Sequence, residues 1–218
     1  MLARRHRILL EAQRLLDEAG VEGFTIRELS RRGKVAQRTL YNVFGSKEEI
    51  VASTIEERHK SLMENARRLP TAPRSPLELR QLDATAEAVV NLRSYATALA
   101  AAFFSPTAND KIYQSLRRIS VESSGNWLDR AQDAKIVRQL SPEEKERILS
   151  LTVNAGYATT LDWAAGRISD QEMKRRFKAN FLLCISYALR PGHRKDVEKI
   201  LDALLAEPAE PPPNAKER

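Results

Sequence analysis

The sequence predicts an all-α protein: an N-terminal three-helix domain of helix-turn-helix type followed by a longer helical C-terminal domain. Three observations carry this. Apolar residues recur at spacings of three and four along almost the whole chain, which is the helical period. Gly is scarce inside these periodic segments, and Pro clusters at their edges. Helix openings of capping-box form, Ser or Thr followed three residues later by Glu, occur at Thr25 with Glu28, Ser46 with Glu49, Ser75 with Glu78, Ser141 with Glu144 and Ser169 with Glu172.

The elements follow in order. Ile8, Ala12, Leu15, Leu16 and Ala19 share one face of a first helix over residues 4–19, which Gly20 ends in the left-handed cap position that glycine favours. The Thr25 box opens a short helix over 26–32, and a second short helix follows over 37–43. Ser46 opens a long helix over 47–68, after which "RLPTAPRSP" interrupts the pattern as a linker or sharp turn, because Pro cannot continue a helix. Ser75, with Pro76 at the first helical position, opens a helix over 76–103. Further helices are expected over 109–122, 127–138, 142–166, 170–189 and 194–206, the third of them opened by "SPEE" and the fourth by Ser169. The final "EPAEPPPNAKER", residues 207–218, has almost nothing to bury and is expected to be a disordered tail. Functionally, the division expected is 1–50 as the helix-turn-helix domain, with the connecting helix starting at 47, and 51–206 as the second domain.

Charge narrows the function. Of the net +7, residues 1–47 carry +5, from 10 basic and 5 acidic side chains. Such a local excess suits a surface that meets phosphate or anionic lipid. The single Cys184 excludes an intramolecular disulfide framework and points to the cytoplasm. "ALAAAFF" is the longest apolar run, far short of the roughly 20 residues that span a bilayer. His6, His59 and His193 lie in separate segments with no partner at metal-ligand spacing, no glycine-rich phosphate loop occurs, and no catalytic cluster is visible. The expectation is a protein that is not an enzyme and needs no cofactor or metal.

The two short helices flank a turn around Gly33 and Lys34, which is the size of a helix-turn-helix. Ile26 and Leu29 on the first, and Leu40 and Val43 on the second, are expected to face inward, with Phe44 closing the core. Gln37, Arg38, Thr39 and Asn42 then point outward as candidate base-reading residues. Arg pairs with guanine, and Gln or Asn with adenine, through two hydrogen bonds in the major groove. A solvated helix face is the alternative for any one of them; their joint placement favours reading.

The run "FTIRELSRRGKVAQRTLYNVFGSKEEIV" resembles the DNA-binding domain of the TetR family of transcriptional regulators, through the Thr opening the second helix, "TLY", Phe44 and the "SK" that opens the fourth helix. The likeness is specific over about residues 8–51 and architectural beyond. It implies that Thr25, Tyr41 and Lys47 contact DNA phosphates while the helix over 37–43 reads the major groove. Physical chemistry agrees: Tyr41 offers a hydroxyl on a rigid ring, and Lys47 stands at a helix N-terminus that already favours anions. The chain departs from the family at the turn, with Gly33, Lys34, Val35 and Ala36 where Ala-Gly-Val-Ser is usual, so the glycine falls one position early and the Ser cap is missing. Arg4, Arg5 and Arg7 are candidates for an arm in an adjacent minor groove.

In the C-terminal part, broad apolar stripes run along the last long helices: Ile148, Leu151, Ala155, Thr159 and Trp163 on one, and Phe177, Phe181, Cys184, Ile185 and Ala188 on the other. Similar paired helices form the dimer's four-helix bundle in TetR-like proteins. Ala155, Gly156, Thr159, Trp163, Phe177, Phe181 and Ile185 are therefore the candidate dimer interface, against the alternative of an intramolecular core. The resemblance further implies an effector cavity, for which Asn91, Tyr95, Trp127 and Tyr157 are candidates. The expectation is a homodimeric regulator, most readily a repressor, that binds a pseudo-palindromic operator on double-stranded DNA, is released by a small-molecule effector and has no membrane partner. A non-specific architectural nucleic-acid-binding protein is the alternative.

Overall fold

The computed structural model describes residues 2–68, 79–107 and 109–206, so the Ser75 helix start and the 207–218 tail lie outside the described residues. Ten helices occupy the described residues: α1 (Leu2–Gly23), α2 (Ile26–Gly33), α3 (Gln37–Phe44), α4 (Lys47–Arg68), α5 (Arg80–Asn91), α6 (Arg93–Phe104), α7 (Asp110–Asp133), α8 (Pro142–Ala164), α9 (Asp170–Ser186) and α10 (Pro191–Ala206). They group into two compact units. One holds Met1–Leu69 with Leu92–Ile119, the other Pro70–Asn91 with Ser120–Arg218.

The first unit is built around α1. Its face of Ile8, Leu9, Ala12, Leu15 and Leu16 is buried, and it packs against α2, α4 and α6. Leu29 of α2, Leu40 of α3, and Ile50 and Ile55 of α4 complete the core with Phe24. Each such side chain contributes about 1.5–3 kcal/mol on leaving water. At Gly20 the backbone takes φ 66°, ψ −173°: the positive φ that needs glycine is present, but the ψ is extended rather than left-handed helical, and one more turn runs to Gly23. Arg58 of α4 links the unit, bonding Asp17 of α1 at 2.6 Å and lying 4.1 Å above the Tyr95 ring of α6.

The second unit encloses Trp127, Leu128, Leu149, Leu182 and Ile185, with Trp127 edge-on to Phe181 at 4.9 Å between centroids. After α7, Lys135 at φ 57° turns the chain, and Val137 forms an isolated antiparallel bridge with Leu189. That bridge ends α9 earlier than periodicity suggests, at Ser186. The Ser141 capping box is complete in both directions and Arg138 pairs with Glu144, which holds the Glu144 carboxyl down to about 2. Cys184 is half-buried on α9; burial pushes its thiol above the ordinary range, against a hydrogen bond with Thr152.

Two expected helices are drawn differently. The segment read as one helix over 76–103 breaks at Leu92 (φ −116°, ψ 43°) into α5 and α6, with no Gly or Pro to mark the place. Conversely, Gly125 does not interrupt α7. It is buried within the helix, and a methyl there would make ordinary contact with Leu149 of α8 at 3.7 Å.

Candidate nucleic-acid interface

Helix α2 starts where Thr25 Oγ1 accepts the Glu28 backbone N–H at 3.2 Å. That contact uses a lone pair of the hydroxyl and leaves its proton for another acceptor, so the cap and a phosphate contact are compatible. Two ion pairs hold Glu28: Arg31 and Arg32, each at 2.7 Å, draw its carboxyl from an ordinary 4.5 down to about 2. Arg32 also reaches Glu18 of α1 at 2.7 Å, so this cluster fixes α2 against α1.

The turn after α2 is closed by Val35 N–H bonding Ser30 O at 3.1 Å and by the Ser30 hydroxyl donating to Val35 O at 2.6 Å. The left-handed position falls on Lys34 (φ 49°, ψ 47°), where the resembling family has glycine. Ala36 precedes α3 without a side-chain cap. Both departures noted in the sequence therefore have a local cost: a non-glycine left-handed residue, and a helix start whose N–H groups lack a side-chain acceptor.

On α3, Leu40 and Phe44 are buried, and they orient the rest. With about 100° per residue, Arg38 and Asn42 stand directly opposite the core as an outward ridge, Tyr41 and Gln37 lie on one flank, and Thr39 and Val43 on the other. Gln37, Arg38 and Asn42 are exposed, Thr39 is half-buried, and Tyr41 is 45 % exposed rather than packed inside. Val43, expected inside, is 43 % exposed, because Leu40 and Phe44 already fill the inner face. Sequence reasoning missed its placement; the i, i+4 relation of Val43 to Thr39, not to Leu40, carried the signal.

The chain passes from α3 to α4 through Gly45 at φ 94°, ψ −65°, a conformation open chiefly to glycine, and Gly45 N–H closes on Tyr41 O at 2.8 Å. Ser46 Oγ accepts the Glu49 N–H at 3.2 Å, and Lys47, half-buried, takes the first position of α4. Glu49 pairs with Lys111 at 2.6 Å, which depresses its carboxyl and offsets negative charge near this helix start. Among the described residues, Arg38 and Lys47 carry no ion pair, unlike Arg31 and Arg32. Arg4, Arg5 and Arg7, read as an arm, stand exposed in the opening turns of α1, and the Arg5 guanidinium lies 5.2 Å above the Phe44 ring at the end of α3.

The C-terminal candidates divide by burial. Of the expected dimer stripe, Thr159, Trp163, Phe181 and Ile185 are buried by their own chain: Trp163 bonds Asp170 at 2.6 Å, Thr159 accepts from Asn180 at 2.9 Å, and Phe181 meets Trp127. All four are enclosed within the protomer, Phe181 and Ile185 in the core around Trp127 and Leu182, which leaves little of them for a partner to cover. Ala155, Gly156 and Phe177 are half-buried, and a methyl at Gly156 would lie 3.3 Å from the Phe177 ring, so glycine here serves the approach of α8 to α9. What α8 and α9 leave outside is Leu151 at 60 %, Leu183 at 51 % and Tyr187 at 68 % exposure. A Thr152–Cys184 hydrogen bond ties α8 to α9, and Tyr187 lies one turn beyond Leu183.

Of the effector candidates, Tyr95 belongs to the core of the first unit, its hydroxyl 3.5 Å from Ile55 O, and Trp127 to the core of the second. Asn91 ends α5, exposed. Tyr157 is half-buried, 3.2 Å from the Ser120 hydroxyl, and burial pushes its phenol up to about 12. No described helix is long and apolar enough to cross a membrane.

Comparison with known proteins places the first unit's helices. Residues 8–54 match the family model described as "Bacterial regulatory proteins, tetR family". No curated protein matches the chain. Among solved structures, a TetR transcriptional regulator from Rhodococcus sp. RHA1 is similar with a TM-score of 0.63 at 18% identity, over 84% of this chain and 97% of that one. A tetR-family regulator from Streptomyces coelicolor gives 0.59 at 16%, over 99% and 94%. SmeT, the repressor of the Stenotrophomonas maltophilia multidrug efflux pump SmeDEF, gives 0.57 at 16%, over 86% and 91%. At these identities the structural likeness establishes the fold. Taken with the match over residues 8–54 and a helix-turn-helix whose outward face is exposed, it gives the chain an N-terminal domain of the kind described for bacterial regulatory proteins of the tetR family, on a fold similar to that of TetR-family regulators.

Proposed function

We propose that the protein is a homodimeric, sequence-specific repressor that binds a pseudo-palindromic operator on double-stranded DNA in the cytoplasm and is released by a small-molecule effector. The observation that carries this is the outward ridge of α3. Arg38 and Asn42 stand opposite the buried Leu40, exposed and, for Arg38, without an ion pair among the described residues. Donors that face water are free to exchange it for the edges of bases, and long fork-shaped or amide groups at the front of a short helix suit the major groove. Thr25, Tyr41 and Lys47 serve as phosphate contacts that fix the register.

Dimerisation is supported by the outer face of α8 and α9, where Leu151, Leu183 and Tyr187 keep large apolar surface in water. A second copy covering that face would bury it and hold two reading helices at one fixed spacing, as successive major grooves require. SmeT, of similar fold, is a repressor, which supports that sign of regulation here. For the effector, Tyr157 is retained as a contacting group within the C-terminal helices, while Trp127 and Tyr95 act as packing residues. A ligand bound more tightly by a conformation with mismatched heads must, by linkage, weaken DNA binding.

Selection of bound fragments from random DNA tests the reading. Recovered sequences should share an inverted repeat, with half-sites about one helical turn apart or a multiple of it. Fragments with no shared sequence would sink it in favour of the architectural alternative.

A further inference from the structure

We propose that Val43 is a specificity residue that reads the C5 methyl of a thymine; the proposal rests on the operator-binding role given to α3 above. Val43 is 43 % exposed on a helix whose inner face is already filled by Leu40 and Phe44. It lies one turn beyond Thr39, on the flank beside the Arg38–Asn42 ridge. The two side chains therefore give α3 a strip of methyl groups parallel to its strip of hydrogen-bond donors. In the major groove thymine is the one base that presents a methyl, at the groove edge next to its O4 acceptor, and apolar side chains distinguish it by burying that group. Val43 has no polar atom with which to bind phosphate or a base edge, and its branched frame is stiff, so its methyls are held in place before binding. A polar ridge flanked by a rigid apolar strip thus fits a half-site in which the pairs read by Arg38 and Asn42 adjoin a thymine.

The test uses the full-length protein and the operator recovered by selection, at fixed ionic strength. Each thymidine is replaced singly by deoxyuridine, which deletes the methyl and leaves every hydrogen-bonding group in place. Wild-type protein should lose roughly fourfold in affinity at one thymidine per half-site, the equivalent of one buried methyl. Val43→Ala should bind the unmodified operator more weakly and be indifferent to deoxyuridine at that same position. Because the side chain is exposed, Val43→Ala should melt like wild type; Val43→Thr, which keeps one methyl on the same branched frame, should be intermediate in deoxyuridine sensitivity and serves if alanine lowers stability. Wild-type affinity unchanged by every deoxyuridine, or an equal loss in wild type and Val43→Ala, overturns the assignment while leaving operator binding intact. Failure of selection to yield any common sequence would instead remove the reading on which it rests, and the proposal with it.

Discussion

Lys34 shows at the scale of one residue how a local departure is carried by its surroundings. Its left-handed backbone costs an L-residue about 1–2 kcal/mol, and the bonds from Ser30 and Val35 around it hold it there. Lys34→Gly should therefore raise stability by about 0.5–1 kcal/mol once glycine's extra unfolded-state entropy is set against the relief. Urea unfolding would show this as a higher midpoint, and an unchanged or lower one would mean that Lys34 gains elsewhere what its backbone loses. Glu28 makes a second case, this time with pH. Its folded carboxyl lies near 2 against an ordinary 4.5, so its ion pairs stabilise the fold above the higher value and cease to do so as pH falls toward the lower. Glu28→Gln should unfold more easily than wild type at neutral pH, and the gap should close between about pH 4.5 and pH 2. The group is at the surface, so salt should shrink the gap too. A gap independent of pH would show that shape, not charge, is what glutamine loses.

Among the elements, the helix starts were the most legible, because a cap is a contact between residues three apart that the chain itself spells out. Thr25, Ser46, Ser141 and Ser169 all accept the backbone N–H expected of them. Breaks were less so. Leu92 interrupts a helix without a breaker residue, and Gly125 sits in one without breaking it, a glycine in a helix interior costing only about 1 kcal/mol. Inward and outward faces of α3 were legible except at Val43, whose apolar character suggested a core that Leu40 and Phe44 had already filled. The start of α4 yields a prediction of its own. Ser46 caps α4 and Lys47 is first in the helix, so in the phosphate role proposed for Lys47 cation and dipole would act together, without regard to sequence. Lys47→Ala should weaken binding to all DNA alike and lower the salt slope by about 1 per site, roughly 2 for a symmetric dimer. An unchanged slope of log K against log salt would leave Lys47 as a solvated side chain.

At the scale of the whole molecule, an apolar stripe in sequence does not say whether its own chain or a partner covers it. Phe181, Ile185 and Trp163 have the spacing of an interface and are enclosed within the protomer, whereas Leu183 and Tyr187, on the same helix or just past its end, remain in water. The two sets should therefore respond differently to a charge. Phe181→Glu places a carboxylate against Trp127 with no partner and should unfold the protein. Leu183→Glu should leave the protomer folded, shift sedimentation to the monomer and weaken operator binding at least tenfold, through loss of the effective concentration that tethers the second head. Circular dichroism alongside sedimentation and DNA titration would decide it, and a folded Leu183→Glu dimer with wild-type affinity would place the contact between copies on another face.

The lone thiol of Cys184 turns α9 into its own clock. Half-buried, bonded to Thr152 and held in its protonated form by burial, it is a poor nucleophile while α8 and α9 stay together, and no other cysteine in the chain competes for a reagent. The rate of alkylation in the untouched protein thus counts openings of one helix, atom by atom and without any introduced label. Because Leu183 is its neighbour, a second copy docked there should slow that clock as protein concentration rises, giving assembly a chemical readout that needs neither DNA nor effector.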